Sequence, residues 1–134
     1  MCASSEQAGS IPAFAQHGDV RVAFGIMGGW NQAQAHAQFV ADLVDFKMNI
    51  QAALEAPRFS KYTFTGCDLF IENRFTRSAQ AELTNLGHKL DVKGAYSSTM
   101  GGGQAVERDF ASGVNFGASD PRKDGEAIAE VGAQ

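Results

Sequence analysis

A chain of 134 residues, 44% hydrophobic and 19% charged, has the make-up of one globular domain, which excludes the polar, charge-heavy composition of a disordered segment. Fifteen acidic against eleven basic residues leave a net charge of −4, with the basic residues scattered rather than striped, and this excludes nucleic acid as the expected partner. No apolar run approaches the ~20 residues that span a bilayer, and residues 1–10 have no signal-peptide pattern, so the expectation is a soluble chain without a membrane partner, cytoplasmic by default.

Residues 1–10 are small and polar without period and read as a disordered tail; residues 11–125 read as the folded domain and 126–134 as a polar C-terminal tail. Two apolar runs, 11–15 and 20–24, flank Gln16-His17-Gly18-Asp19, a turn-forming cluster that suits a β-hairpin. After Gly28-Gly29 comes the longest helical pattern, 32–47, with Phe39, Val40, Leu43, Val44 and Lys47 at helical spacing. Asn49 is placed to cap a second, short helix at 50–55, which Pro57 ends. Residues 69–71 read as a brief strand. A helix at 78–86 follows, with Leu83 and Leu86 on one face and Gly87 just past its end. Strand patterns then recur at 88–92, 104–108 and 114–118, the last two beyond the glycine triplet 101–103. This order of elements gives an α+β class, helices layered on a mostly antiparallel sheet, with no internal repeat and no linker.

Few residues carry chemistry on pattern alone. Gly28 and Gly29 lie between a strand and a helix, where backbone amides can be left facing an anion or a developing oxyanion; on spacing alone a tight turn is the plainer account, since glycine pairs mostly serve positive-φ conformations. GIMGGW lacks the spacing of a dinucleotide fingerprint, so no cofactor is expected. His17, His36 and His88 are isolated from one another and from acidic pairs, and no metal site is expected. Asp42 and Asp45 read as a solvated helix face, and Ser97, Ser98 and Thr99 as a polar loop. In GASDPRKDG, residues 117–125, Asp120-Pro121 favours a turn, and Arg122 offers a rigid cationic fork that a carboxylate can hold; Arg58 after Pro57 invites the same reading. Cys2 and Cys67, without a CxxC or Cys/His cluster, read as free thiols.

Five strings in order carry a family resemblance: GIMGG at 25–29 with the glutamine-rich helix start after it, LVDFKMNIQAALEAPRF at 43–59, LTNLGHKLDV at 83–92, GGGQAVERD at 101–109 and GASDPRKDG at 117–125. Together they resemble the C-terminal part of the small subunit of γ-glutamyltransferases, also called γ-glutamyltranspeptidases. The resemblance implies a partial αββα sandwich of the N-terminal-nucleophile hydrolase type. Such enzymes are made as precursors that cut themselves into large and small subunits. Their new N-terminal threonine attacks a γ-glutamyl amide, and the acyl group passes to water or to an amino acid or peptide, as in glutathione breakdown. By the same resemblance Gly28 and Gly29 are the oxyanion-hole amides, while Arg58, Asp120 and Arg122 are scaffold.

The threonine-bearing segment, the substrate-binding segment after it and the large subunit have no counterpart in these 134 residues, and Gln7-Ala8-Gly9-Ser10 does not match the family's polar substrate motif. The chain alone is expected to be inactive, with a γ-glutamyl small molecule as its partner only when another chain completes it. The alternative is a non-catalytic interaction module or truncated gene remnant whose uncovered sheet self-associates into a homo-oligomer or binds another partner.

Overall fold

The computed structural model describes the backbone of residues 13–17 and, in full, residues 20–63 and 65–129. The expected tail at 1–10, Cys2, the side chain of His17 and the turn residues Gly18 and Asp19 lie outside the described residues, as do the last five residues.

The chain opens as the anticipated hairpin: β1 (Ala13–His17) runs antiparallel to β2 (Val20–Met27), with His17 opposite Val20. A single 3-10 turn (Gly29–Asn31) leads into α1 (Gln32–Val44), and α2 (Ile50–Glu55) follows. Then come β3 (Phe59–Ser60), β4 (Asp68–Glu72), α3 (Arg77–Asn85), β5 (Lys89–Lys93), β6 (Gly102–Asp109) and β7 (Asn115–Ser119). The strands form two sheets. Sheet A is fully antiparallel in the order β1-β2-β6-β7, and sheet B has the order β3-β4-β5, with β4 and β5 parallel across the α3 crossover. The class is α+β with mostly antiparallel pairing, as the patterning implied.

The core explains the arrangement. Val22, Phe24 and Ile26, alternating along β2, point to one face of sheet A, where they meet Ala35 and Phe39 of α1 and Ile50, Ala53 and Leu54 of α2. The Phe24 and Phe39 rings lie 4.6 Å apart. At Gly103 a Cβ would collide with Leu54, so glycine lets α2 approach β6. On the same face, Ala105 and Ala118 supply small contacts from β6 and β7.

Several boundaries differ from expectation for identifiable reasons. α1 stops at Val44 rather than residue 47, because Lys47 turns into a left-handed conformation (φ 56°) and the Met48 N–H returns to the Asp42 carbonyl. Val44 is 48% exposed and closes no part of the core, although its spacing placed it in the apolar stripe. The α2 cap is as read: the Asn49 side chain accepts from the Ala52 N–H at 2.8 Å. α3 is capped by Thr76, and Gly87 (φ 95°) ends it in a Schellman motif, with Gly87 N–H bound to the Thr84 carbonyl and His88 N–H to that of Leu83. Yet α3 buries no residue and Leu86 is 72% exposed, so the Leu83/Leu86 pair does not form a packed face. β3 was not legible because two residues are too few to show alternation. No helix among the described residues is long and apolar enough to cross a membrane.

Candidate functional site

Gly28 and Gly29 occupy the junction where β2 ends and the helical turn before α1 begins. Both have positive φ, 146° and 55°, which L side chains rarely adopt, so glycine is required here by the backbone path. The Gly28 carbonyl accepts the Asn31 N–H at 3.0 Å, which starts the turn. No hydrogen bond ties the Gly28 or Gly29 N–H to another described residue, and both residues are exposed. Opposite them, Gly101 (φ 83°) lies so close to the end of β2 that a Cβ would collide with the Met27 carbonyl. Trp30, 83% exposed, stands beside the pair. Two adjacent amides presented at the start of a helix form an arrangement suited to a negative oxygen.

α1 is tied to β2 by His36. Its Nε2 accepts the Ile26 N–H at 3.0 Å, and its ring meets Phe24 edge-on. Burial pushes the imidazole pKa below 6.5, with a smaller push from the Arg58 charge, which favours the neutral ring that an acceptor needs.

Beneath this junction is a buried ionic cluster of Arg58, Glu72, Asp120 and Arg122. Arg122 reaches both Glu72 oxygens, Nε to Oε1 and Nη2 to Oε2, each at 2.7 Å, and its Nη1 lies 3.1 Å from Asp120 Oδ1. It also donates to the Leu54 and Ala56 carbonyls. Arg58 pairs with Asp120 Oδ2 at 2.7 Å. Arg74 adds a further bond to Glu72 from the partly exposed side. Burial raises the Glu72 pKa, but the Arg122 contacts and the donors from Arg58 and Arg74 outweigh it and hold the carboxyl below its ordinary range. For Arg58, burial and the neighbouring Arg122 charge lower the pKa. For Arg122, burial is outweighed by Glu72 and Asp120, and the pKa is raised. The reading of Arg122 as a fork held by a carboxylate matches this geometry. Glu72 was not singled out from the sequence, since a lone acid at the end of a short strand gives no sign of being fully buried.

The side chains of the other residues considered do not join this constellation. Asp45 is exposed as expected, but Asp42 is only partly so, and burial raises its pKa. Ser97 and Thr99 hydroxyls bond each other, while the Ser97 N–H serves Glu72. Cys67 is an exposed free thiol. Among the described residues no group of three His, Cys, Asp or Glu side chains is placed to hold a metal ion.

Residues 7–130 match the gamma-glutamyltranspeptidase family. The chain is 32% identical over 114 residues to a glutathione hydrolase-like proenzyme of Bacillus subtilis, covering 83% of this chain and 22% of that protein. To an oxamate amidohydrolase proenzyme of Klebsiella pneumoniae it is 32% identical over 120 residues, covering 87% of this chain and again 22% of the relative. The chain thus spans about a fifth of the length of these curated relatives. In three dimensions it superposes on γ-glutamyltranspeptidase from Pseudomonas nitroreducens with a TM-score of 0.76 at 20% identity, over 97% of this chain and 66% of that one. The fold is that of part of an N-terminal-nucleophile hydrolase sandwich, and the chain belongs to the γ-glutamyltranspeptidase family.

Proposed function

We propose that this chain contributes the oxyanion-binding half of an acyl-transfer site, with the Gly28 and Gly29 N–H groups as the donors. The supporting observation is the loop itself: two consecutive glycines at positive φ whose amides are bound to no described residue, at the start of a helix, in a member of a family that acts on amide bonds. When a nucleophile attacks an amide carbonyl, negative charge builds on the oxygen. Two donors about 2.7–3.1 Å from that position stabilise the transition state more than the substrate. A threonine N-terminus would supply nucleophile and base, and it would come from residues outside these 134. A γ-glutamyl amide such as glutathione is the acyl donor the resemblance favours, and a heterodimer of large and small subunits is the corresponding assembly.

Hydrolysis of a chromogenic γ-glutamyl anilide, by the chain alone and with a polypeptide carrying the threonine segment and large subunit, tests this reading. Activity in the mixture alone supports it. Because one relative is an oxamate amidohydrolase, oxamate is the informative second substrate: turnover of oxamate without the anilide would keep the oxyanion assignment and reject the γ-glutamyl one. A second reading, a non-catalytic interaction module, is favoured by the apolar exposure on sheet A, where Met27 is 45% and Val106 51% exposed. Inactivity in every combination, with concentration-dependent self-association of the chain, would support that reading instead.

A further inference from the structure

The glutamine-rich start of α1 has no place in the oxyanion reading so far, yet it forms a regular side-chain pattern. Gln34 Nε2 donates to the Lys61 carbonyl and Gln34 Oε1 accepts the Lys61 N–H, both at 2.9 Å. Gln38 makes the same two-way pair with Phe59, both bonds at 3.0 Å. These amides complete the edge of β3 that β4 leaves open, as a neighbouring strand would.

One turn earlier, at the same helical spacing, the Ser60 hydroxyl donates to Asn31 Oδ1 at 2.6 Å. Asn31, Gln34 and Gln38 thus grip three consecutive residues of the β3 segment. Asn31 is also the residue whose N–H holds the Gly28 carbonyl. It is 1% exposed, and its Nδ2 is a buried donor with no partner among the described residues. A Cβ on Gly28 would lie 3.3 Å from Asn31 Cβ, so side chain and glycine loop are in close approach. The bond from Ser60 accounts for Asn31 Oδ1 but leaves the buried Nδ2 donor unpaired, a desolvation cost that calls for an explanation.

We propose that Asn31, anchored by Ser60 and backed by Gln34, is a positioning residue that sets the direction of the Gly28 and Gly29 N–H groups. The proposal rests on the oxyanion reading for its catalytic meaning. The helix start is clamped to sheet B by the polar stripe and to sheet A by Ala35 and Phe39, so the element that follows the glycine loop is held from both sides. Pre-aimed donors matter because misplacement by about 1 Å costs roughly a hundredfold in rate.

The test compares Asn31→Ala and Gln34→Met with Gln51→Met. Gln51 makes the same kind of two-way amide pair, with Ser119 at the edge of β7. The first readout is the 15N–1H resonances of Gly28 and Gly29 in the full chain, which needs no activity. The second is kcat and KM in the completed enzyme. The expected result is shifted Gly28 and Gly29 resonances in Asn31→Ala and Gln34→Met, with kcat down about tenfold to a hundredfold at nearly constant KM. Gln51→Met should leave both readouts at wild-type values. Should Asn31→Ala fail to fold, Gln34→Met carries the test.

Resonances unmoved in the stripe variants, or a kcat loss that Gln51→Met shares, would overturn the positioning role. If the wild type shows no turnover in any assembly, the oxyanion reading fails. The resonances then still decide whether the stripe orients the loop.

Discussion

Removing the carboxylate of Glu72 should be among the most damaging single substitutions in this chain. Its side chain is fully buried and accepts from the Arg58 N–H, Arg74 Nη2, the Ser97 N–H, and Arg122 Nε and Nη2. In Glu72→Ala the two buried guanidinium groups of Arg58 and Arg122 keep a single buried counter-charge among the described residues, Asp120, and two backbone donors lose their acceptor. Breaking one side of a buried ion pair costs about 3–5 kcal/mol. For a domain of this size that corresponds to a fall in Tm of roughly 10–20 °C, read by circular dichroism on heating. The acid limb gives an independent check. Because the folded-state pKa of Glu72 is lowered from 4.5, its contribution is present above about pH 4.5 and is lost as pH falls through the lower folded value. The gap between wild type and Glu72→Ala should therefore narrow in acid. A loss below about 1 kcal/mol, or a gap unchanged from pH 7 into that range, would refute the view that Glu72 neutralises the cluster.

Phe39→Ala, which empties a fully buried site against Phe24, should cost about 3–5 kcal/mol in urea unfolding; a value near zero would show that α1 does not pack on sheet A as described. His36 must stay neutral to accept from Ile26, and its folded pKa is lowered. Stability should thus be complete above about pH 6.5 and decline as pH falls through the folded value, and this part of the pH dependence should vanish in His36→Gln. Gly29→Leu meets no atom within 4 Å at Cβ but must hold a left-handed φ, so the expected stability loss is only about 1–2 kcal/mol. Turnover in the completed enzyme should meanwhile fall at least about a hundredfold, and unchanged turnover would remove Gly29 from the site.

The local elements were legible where short-range chemistry dictates them. Asn49 and Gly87 marked helix ends because a cap and a left-handed C′ residue need only neighbours, and the hairpin followed from two apolar runs around a turn. What escaped was long-range. Glu72 lies 50 positions from Arg122, and nothing in the chain near residue 72 distinguishes a fully buried carboxylate from a solvated one. The split into two sheets was also hidden, since it depends on β4 pairing parallel to β5 across α3 while β6 crosses back to β2. At the candidate site the glycine pair was visible, but Asn31 and Ser60 were not, because neither residue type is unusual in a loop or at a strand end.

The ionic cluster and the glycine loop, separate as residues, are connected through the backbone segments they hold. Asp120 Oδ2 accepts the Gly103 N–H at 3.1 Å, and Arg58 Nη1 reaches the Met100 carbonyl at 3.4 Å, so the cluster fixes both ends of the segment whose Gly101 lies against the Met27 carbonyl. On the other side, Arg58 immediately precedes the Phe59-Ser60-Lys61 segment, whose residues hold Gln38, Asn31 and Gln34. The loop is therefore held between two walls that share one set of buried charges. A buried ion cluster is a poor source of net stability, since apolar packing of equal volume often does as well. Its value here is directional. Guanidinium forks bind carbonyls and carboxylates only in defined orientations, and they hold the segments flanking two exposed amides in one arrangement. An apolar replacement of the cluster that preserved Tm should thus still loosen Gly28 and Gly29, lowering their 15N order parameters. If those two amides kept wild-type order parameters in such a variant, the cluster would serve the fold alone.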